Sequence, residues 1–320
     1  MIKALLAALC LLLAAPALAT SEDPTGLMPK VSAGRVIAWK ALNGGAAGPM
    51  TVWVWLPPGY DQTNGRRYPV LYMHDGQNLF DRDLTKFNQE WGLDEAIPRL
   101  ARQGDLREWI VVGVQSPRSR YRALFPQKIL PFLPADFQKR VMTLDDGNPS
   151  GVLAGDAYLK FLVSVVKPRV DRELRSLKGR QDTAVMGSSM GGLMAFYAMA
   201  EYPHVFGQAA AVSMHVALAD PTAKGLDHAA AGRQAADAFR RYLATSRMRP
   251  GVNRLYIDHG SGTLDGSYSP YSGEVVPMLQ SLGWGDPNFA FRTYAGAEHN
   301  ETAWAQRVDI PLAFLDRADP

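Results

Sequence analysis

An α/β fold is predicted for this chain: a mostly parallel twisted sheet, opened by antiparallel strands at its N-terminal end and covered by helices on both faces. Three observations predict it. Short apolar runs such as Trp-Ile-Val-Val-Gly-Val at residues 109–114 lack the polar alternation of a half-exposed strand and read as strands buried on both faces. Segments of helical periodicity separate these runs, and a strand-helix-strand order calls for right-handed crossovers. One run also ends in Gly187-Ser188-Ser189-Met190-Gly191-Gly192, a glycine-rich turn from strand into helix.

The opening pair is residues 31–40 and 50–56, the second alternating through Val52, Val54 and Leu56, with Asn43-Gly44-Gly45 as turn chemistry between them. Residues 69–74 read as a short buried strand, 87–102 as a helix and 109–114 as the next strand. Residues 115–155 carry many prolines and little periodicity, and loops of that length are usually lids or binding walls. Alternation then resumes: helix 156–177, strand 182–186, helix 190–201, strand 208–213, an alanine-rich helix 226–245, strand 254–259, helix 273–282, strand 290–294 and a closing helix 302–315. Such sheets hold ligands outside the carboxyl ends of their strands, so functional residues are expected in those loops.

Residues 1–19 read as an export signal. Lys3 supplies the positive start, residues 4–15 an apolar stretch too short to span a bilayer, and Ala17-Leu18-Ala19 a small-x-small cleavage site. An exported protein, periplasmic or secreted, is expected to begin near Thr20, with residues 20–320 forming a single catalytic domain and no stable membrane insertion. Cys10 is the only cysteine, and it lies inside the signal; bulky Leu9 before it argues against a lipid anchor. The mature chain then has no disulfide, thiol nucleophile or thiolate metal site. Its formal charge of +3 drops by one with Lys3, and basic residues are interspersed with acidic ones, so no nucleic-acid partner is expected.

The turn at Ser189 fits the G-x-S-x-G nucleophile elbow, with Gly187 and Gly191 two residues either side of the serine. A serine there sits in a strained bend, and side chains on either glycine would collide with neighbouring backbone. Helix 190–201 begins immediately after, so its N-H groups and dipole favour negative charge developing beside Ser189, with the N-H of Met190 as one oxyanion donor. Ser188 lies off the apex and reads as a packing residue.

A serine hydroxyl needs a base, and the base an orienting acid, in the chain order serine, acid, histidine. His299 follows the last strand through a loop of small residues and precedes the closing helix, where an imidazole can swing over the elbow. His204 lies at a helix end, His228 in an alanine-rich helix, His215 and His259 at strand ends; of these, His215 can line the pocket. Asp265, in the loop beyond strand 254–259, is the preferred acid, with Asp258 and Glu298 as alternatives. The loop after strand 69–74 should carry the second oxyanion donor: Gly76 permits close backbone approach, and the N-H of Gln77 takes the role. His74-Asp75 resembles half of a metal site, but no second His and Asp pair at suitable spacing accompanies it, so neither metal nor cofactor is expected.

Taken in order, Pro69-Val-Leu-Tyr-Met-His-Asp-Gly-Gln-Asn-Leu-Phe80, Trp91-Gly-Leu-Asp-Glu95, Ile110-Val-Val-Gly113, the elbow, the stretch from Asp258 to Asp265, and His299-Asn-Glu301 with Trp304 resemble the esterase D-like, or "putative esterase", family of α/β-hydrolases from about residue 35 onward. That family includes enterochelin, feruloyl and acetylxylan esterases. The resemblance implies the α/β-hydrolase fold, a triad of Ser189, Asp265 and His299, and oxyanion donors at Gln77 and Met190. One departure is that relatives often carry Arg and then Glu-Tyr-Pro after the fourth strand, where this chain has Arg120-Tyr-Arg-Ala-Leu-Phe-Pro126. The expected chemistry is acyl-enzyme hydrolysis of a carboxylic ester, on feruloyl or acetyl groups of carbohydrate or on siderophore lactones. The rivals are a silent binding protein on the same fold and an acyltransferase or peptidase with the same triad.

Overall fold

The structure, a computed structural model, describes residues 28–144 and 151–316. The expected export signal, residues 1–19, lies outside them. Eight strands form one sheet: β1 (Arg35–Asn43), β2 (Pro49–Leu56), β3 (Val70–His74), β4 (Ile110–Val114), β5 (Thr183–Ser188), β6 (Gln208–Val212), β7 (Arg254–Gly260) and β8 (Phe289–Tyr294). Their order is β1-β2-β4-β3-β5-β6-β7-β8. β2 pairs antiparallel with both β1 and β4, and every other pairing is parallel. The expected mixed sheet with antiparallel strands at its start is therefore present.

Apolar composition on both sides of each central strand produces this layering. All residues of β3 to β7 are buried. Because successive side chains point to opposite faces, Val70 and Tyr72 of β3 join the core on one face and Leu71 and Met73 the core on the other. Val70, Leu71 and Met73, fully withdrawn from water, each contribute about 1.5–3 kcal/mol.

The helices are α1 (Leu93–Gln103), α2 (Arg120–Ala123), α3 (Ala135–Thr143), α4 (Gly155–Phe161), α5 (Lys167–Glu173), α6 (Met190–Glu201), α7 (His228–Leu243), α8 (Ser269–Ser281), α9 (Glu301–Ala305) and α10 (Asp309–Leu315). Four expectations need correction. α1 starts six residues after the predicted residue 87, because Asn88 and Gly92 take left-handed backbone with φ of 54° and 61°, which leaves Phe87 in a loop. The stretch 115–155 is not an open loop over its described residues: α2, a 3₁₀ segment at Gln127–Phe132 and α3 fold it down, burying Phe125, Ile129, Phe137 and Val141. The helix expected over 156–177 is α4 and α5 joined through a π-helical turn at Leu162–Val166, and it ends at Glu173. The closing helix is likewise divided, into α9 and α10.

Since Leu71 is wholly buried in the middle of the sheet, Leu71→Ala should cost about 2–5 kcal/mol. The check is a lower urea midpoint at an unchanged slope.

Candidate active site

β5 ends in a bend that its neighbours impose. Ser189 has φ 58° and ψ −123°, a conformation that costs a side-chain-bearing residue energy. Three backbone hydrogen bonds hold it: its N-H donates to the Val212 carbonyl at 3.0 Å, and its carbonyl accepts from Leu193 at 3.0 Å and from His215 at 3.1 Å. A Cβ on Gly187 would stand 2.7 Å from the carbonyl carbon of Gly191, so only glycine lets strand and helix pass this closely. At Gly191 the crowding differs from the expected backbone clash: a Cβ would meet the side chains of His74 and Asp75, at 3.1 and 3.0 Å. Ser188, read as packing only, is buried but also borders the cleft beside Ser189.

That cleft measures about 560 Å³ and opens on Ser189, His299, Gln77, Arg120 and Trp304. His299 reaches it from the turn after β8, where its N-H donates to Thr263 Oγ1 at 2.8 Å. Its ring stands edge-on to Trp304 at 5.1 Å and to Tyr268 at 5.8 Å, which fixes the plane of the imidazole. His299 Nδ1 lies 2.6 Å from Asp265 Oδ1.

Asp265 is fully buried in a 3₁₀ turn after β7. Desolvation pushes its carboxyl up, but the hydrogen bond and charge of His299, with bonds from the Ser213 hydroxyl at 2.6 Å and the Gly260 N-H at 2.6 Å, outweigh it and hold the group below its ordinary value. Asp258 is engaged elsewhere. It pairs with Arg307 at 3.1 Å, both side chains being buried, and also accepts from the Tyr256 hydroxyl and the Ser213 N-H. Glu298 accepts from Asn300 at 2.9 Å. The structure thus brings Asp265, of the three acids considered, to the imidazole.

The remaining histidines have other partners. His259 lies between the Gly260 carbonyl and Ser272 Oγ. His228 is the first residue of α7, edge-on to Tyr271. His74 Nδ1 meets the Tyr158 hydroxyl at 2.7 Å, and His215 Nδ1 the Tyr268 hydroxyl at 2.9 Å, while Nε2 of each is buried without a partner. Burial pulls both down to about 4, with the charges of His299 and Arg120 adding at His215. Among the described residues no group of three or more His, Cys, Asp or Glu could hold a metal ion, and no helix is long and apolar enough to cross a membrane.

Two backbone N-H groups flank this arrangement. Met190 is the first residue of α6, so no carbonyl one turn earlier can take its N-H. Gln77 sits in a 3₁₀ turn at Gly76–Asn78, just past β3. A Cβ on Gly76 would be 2.4 Å from Gly113 backbone, so its absence draws this turn against β4.

Sequence reasoning missed Tyr268 and Ser213. Burial and the Asp265 charge raise the Tyr268 hydroxyl, against a hydrogen bond with the Ser189 side chain that lowers it. Ser213 Oγ receives N-H donors from Trp304 and Arg307, each at 2.9 Å, while donating to Asp265. Neither carries a local signal, since each becomes significant only through residues distant along the chain.

Two outcomes follow from these charges. Arg307→Ala strands the Asp258 carboxylate in the interior and should lower stability by about 3–5 kcal/mol, read from urea unfolding. Acid should also destabilise the protein: from the ordinary histidine value of 6.5 down to about 4, the unfolded chain takes up protons that native His74 and His215 refuse, so stability is complete above that window and falls within it. The depressed Asp75 and Asp265 add a loss only in stronger acid, once pH falls below their ordinary 3.8 and through their lowered values. Equal urea midpoints at about pH 7.5 and about pH 5 would contradict the histidine account.

A family profile described as "Putative esterase" matches residues 46–307. "Uncharacterized protein YbbA" of Bacillus subtilis (strain 168) is 24% identical over 281 residues, spanning 86% of this chain and 96% of that protein. Among solved structures, one described as a ferulic acid esterase superposes with a TM-score of 0.60 at 18% identity, covering 88% of this chain and 98% of its own. The ferric enterobactin esterase of Salmonella typhimurium gives 0.59 at 14% identity over 90% of this chain, which spans only 59% of that protein. These likenesses in shape place the sheet and its helices in the α/β-hydrolase fold.

Proposed function

Because the chain belongs to the putative esterase family, we propose that it is a serine hydrolase of carboxylic esters working through an acyl-enzyme, with Ser189 as nucleophile, His299 as base and Asp265 as the acid that orients it. The observation that carries this reading is the 2.6 Å contact between Asp265 and His299, whose imidazole opens on the same cleft as Ser189. With Nδ1-H donated to the carboxylate, Nε2 is left as the acceptor for the serine proton. Attack of Ser189 Oγ on the ester carbonyl forms the C-O bond as that proton passes to His299, and the N-H groups of Gln77 and Met190 receive the oxyanion. Collapse expels the alcohol, protonated by His299, and water then repeats the sequence to free the acid. No metal or cofactor enters these steps.

The substrates we favour are feruloyl or acetyl esters of carbohydrate, or siderophore lactones. Support comes from a rim of exposed Phe87, with Lys86 Nζ 5.2 Å from its ring centre, and from Asn78, Gln89 and Asn300, a combination that suits an aromatic or hydroxyl-rich group. Residues 20–320 serve as one catalytic domain in this reading, and residues 1–19 direct export.

Ser189→Ala should lower p-nitrophenyl acetate turnover by at least about 10³-fold and abolish labelling by a fluorophosphonate probe. Full turnover and labelling in that protein would reject the assignment; an inactive wild type would favour the silent binding protein.

A further inference from the structure

We infer that Asp75 is a positioning residue: clamped by Arg120 and Ser116, it holds the turn that presents the Gln77 N-H to the carbonyl oxygen of the ester. The inference rests on the role proposed for Gln77 above. Asp75 leaves β3 in left-handed backbone, with φ 57° and ψ 47°, and its carbonyl accepts the Asn78 N-H at 3.0 Å to close the turn around Gln77. Its side chain is 7% exposed. Oδ1 accepts from Arg120 Nε at 2.8 Å and from the Ser116 hydroxyl, and Oδ2 from Arg120 Nη2 at 2.6 Å, a planar fork that fixes orientation as well as distance. Burial opposes ionisation, but the Arg120 charge and these bonds outweigh it, so the carboxyl is held below its ordinary value.

The clamp continues into Gln77 itself. Gln77 Nε2 donates to Ser116 Oγ at 2.8 Å, and the Ser116 N-H donates to Gln77 Oε1 at 3.0 Å, so the glutamine side chain is tied at both ends to a residue two beyond β4. On its other side, Asp75 Oδ2 stands 3.0 Å from the point where Gly191 would carry a Cβ, against the first turn of α6 beside Met190. One carboxylate therefore lies between the two segments that supply the proposed oxyanion donors, bonded into the first and packed close to the second. Such donors act through fixed placement, so a loosened turn loses transition-state binding while ground-state binding is retained. Arg120 is needed for a second reason: an uncompensated carboxylate this close would repel the developing oxyanion.

The test uses the full chain, with steady-state hydrolysis of p-nitrophenyl acetate and inhibition by a trifluoromethyl ketone, whose adduct carries the oxyanion. Ser116→Ala and Gln77→Ala keep the ion pair and the Gln77 N-H but cut the tether. Each should lower kcat about 10-fold with KM within about twofold, and weaken ketone inhibition in parallel. Ser116→Thr, which keeps the hydroxyl, should restore kcat, and Asp75→Asn should lose about 10²-fold. Wild-type kcat and inhibition in both Ser116→Ala and Gln77→Ala would overturn the inference, as would a rise in KM at constant kcat. Should Asp75→Asn fail to fold, those two variants decide alone. Turnover surviving in Ser189→Ala would instead remove the parent reading, whereas a dead Ser189→Ala beside a normal Ser116→Ala removes only this one.

Discussion

Between the last residue of β5 and the first turn of α6, Ser189 is held at a backbone angle that the chain would not adopt alone. The strain is supported by hydrogen bonds to Val212, Leu193 and His215, and it is sterically possible because Gly187 lets the strand and helix nearly touch while Gly191 leaves room for the His74 and Asp75 side chains. Everything in the cleft is arranged around that bend. The helix begins immediately after it, the Gly76–Asn78 turn approaches from β3, and the His299 loop arrives from beyond β8. Parallel strand order makes this convergence possible, since β3, β5, β7 and β8 all release their following loops at the same edge of the sheet.

Among the buried carboxylates at that edge, three have strong compensation of their own. Asp265 is engaged by His299, Ser213 and Gly260, Asp258 by Arg307, and Asp75 by Arg120 and Ser116. Separation of partners matters, because a carboxylate left unpaired in this interior would take up a proton rather than remain charged. Ser213 links two of the three: its N-H bonds to Asp258 and its hydroxyl to Asp265, while Arg307 donates to it. The electrostatic character of the edge thus depends on side chains far apart in sequence.

Around this polar edge, the two faces of the sheet carry separate apolar cores. Trp304 joins one of them to the site, stacking on Trp91 at 5.6 Å while its ring borders His299 and its N-H binds Ser213. The cleft rim has a different origin. Residues 87–92, expected to be helical, are loop instead, and this difference leaves Phe87 exposed beside the cleft.

Local chemistry determined a great deal. Apolar runs specified the strands, because burial on both faces leaves no polar alternation, and the two glycines around Ser189 marked the bend, because Gly187 alone lets the strand pass so close to the helix backbone and Gly191 clears the side chains of His74 and Asp75. A serine, a loop acid and a loop histidine in the right order were likewise legible. Tertiary structure alone decided that Asp265 meets His299 while Asp258 turns to Arg307, that Tyr268 lies against His215, and that Ser116 bonds to both Asp75 and Gln77. The physical reason is that partner choice among buried polar groups depends on through-space distance and desolvation, and folding sets both between positions that no local pattern connects.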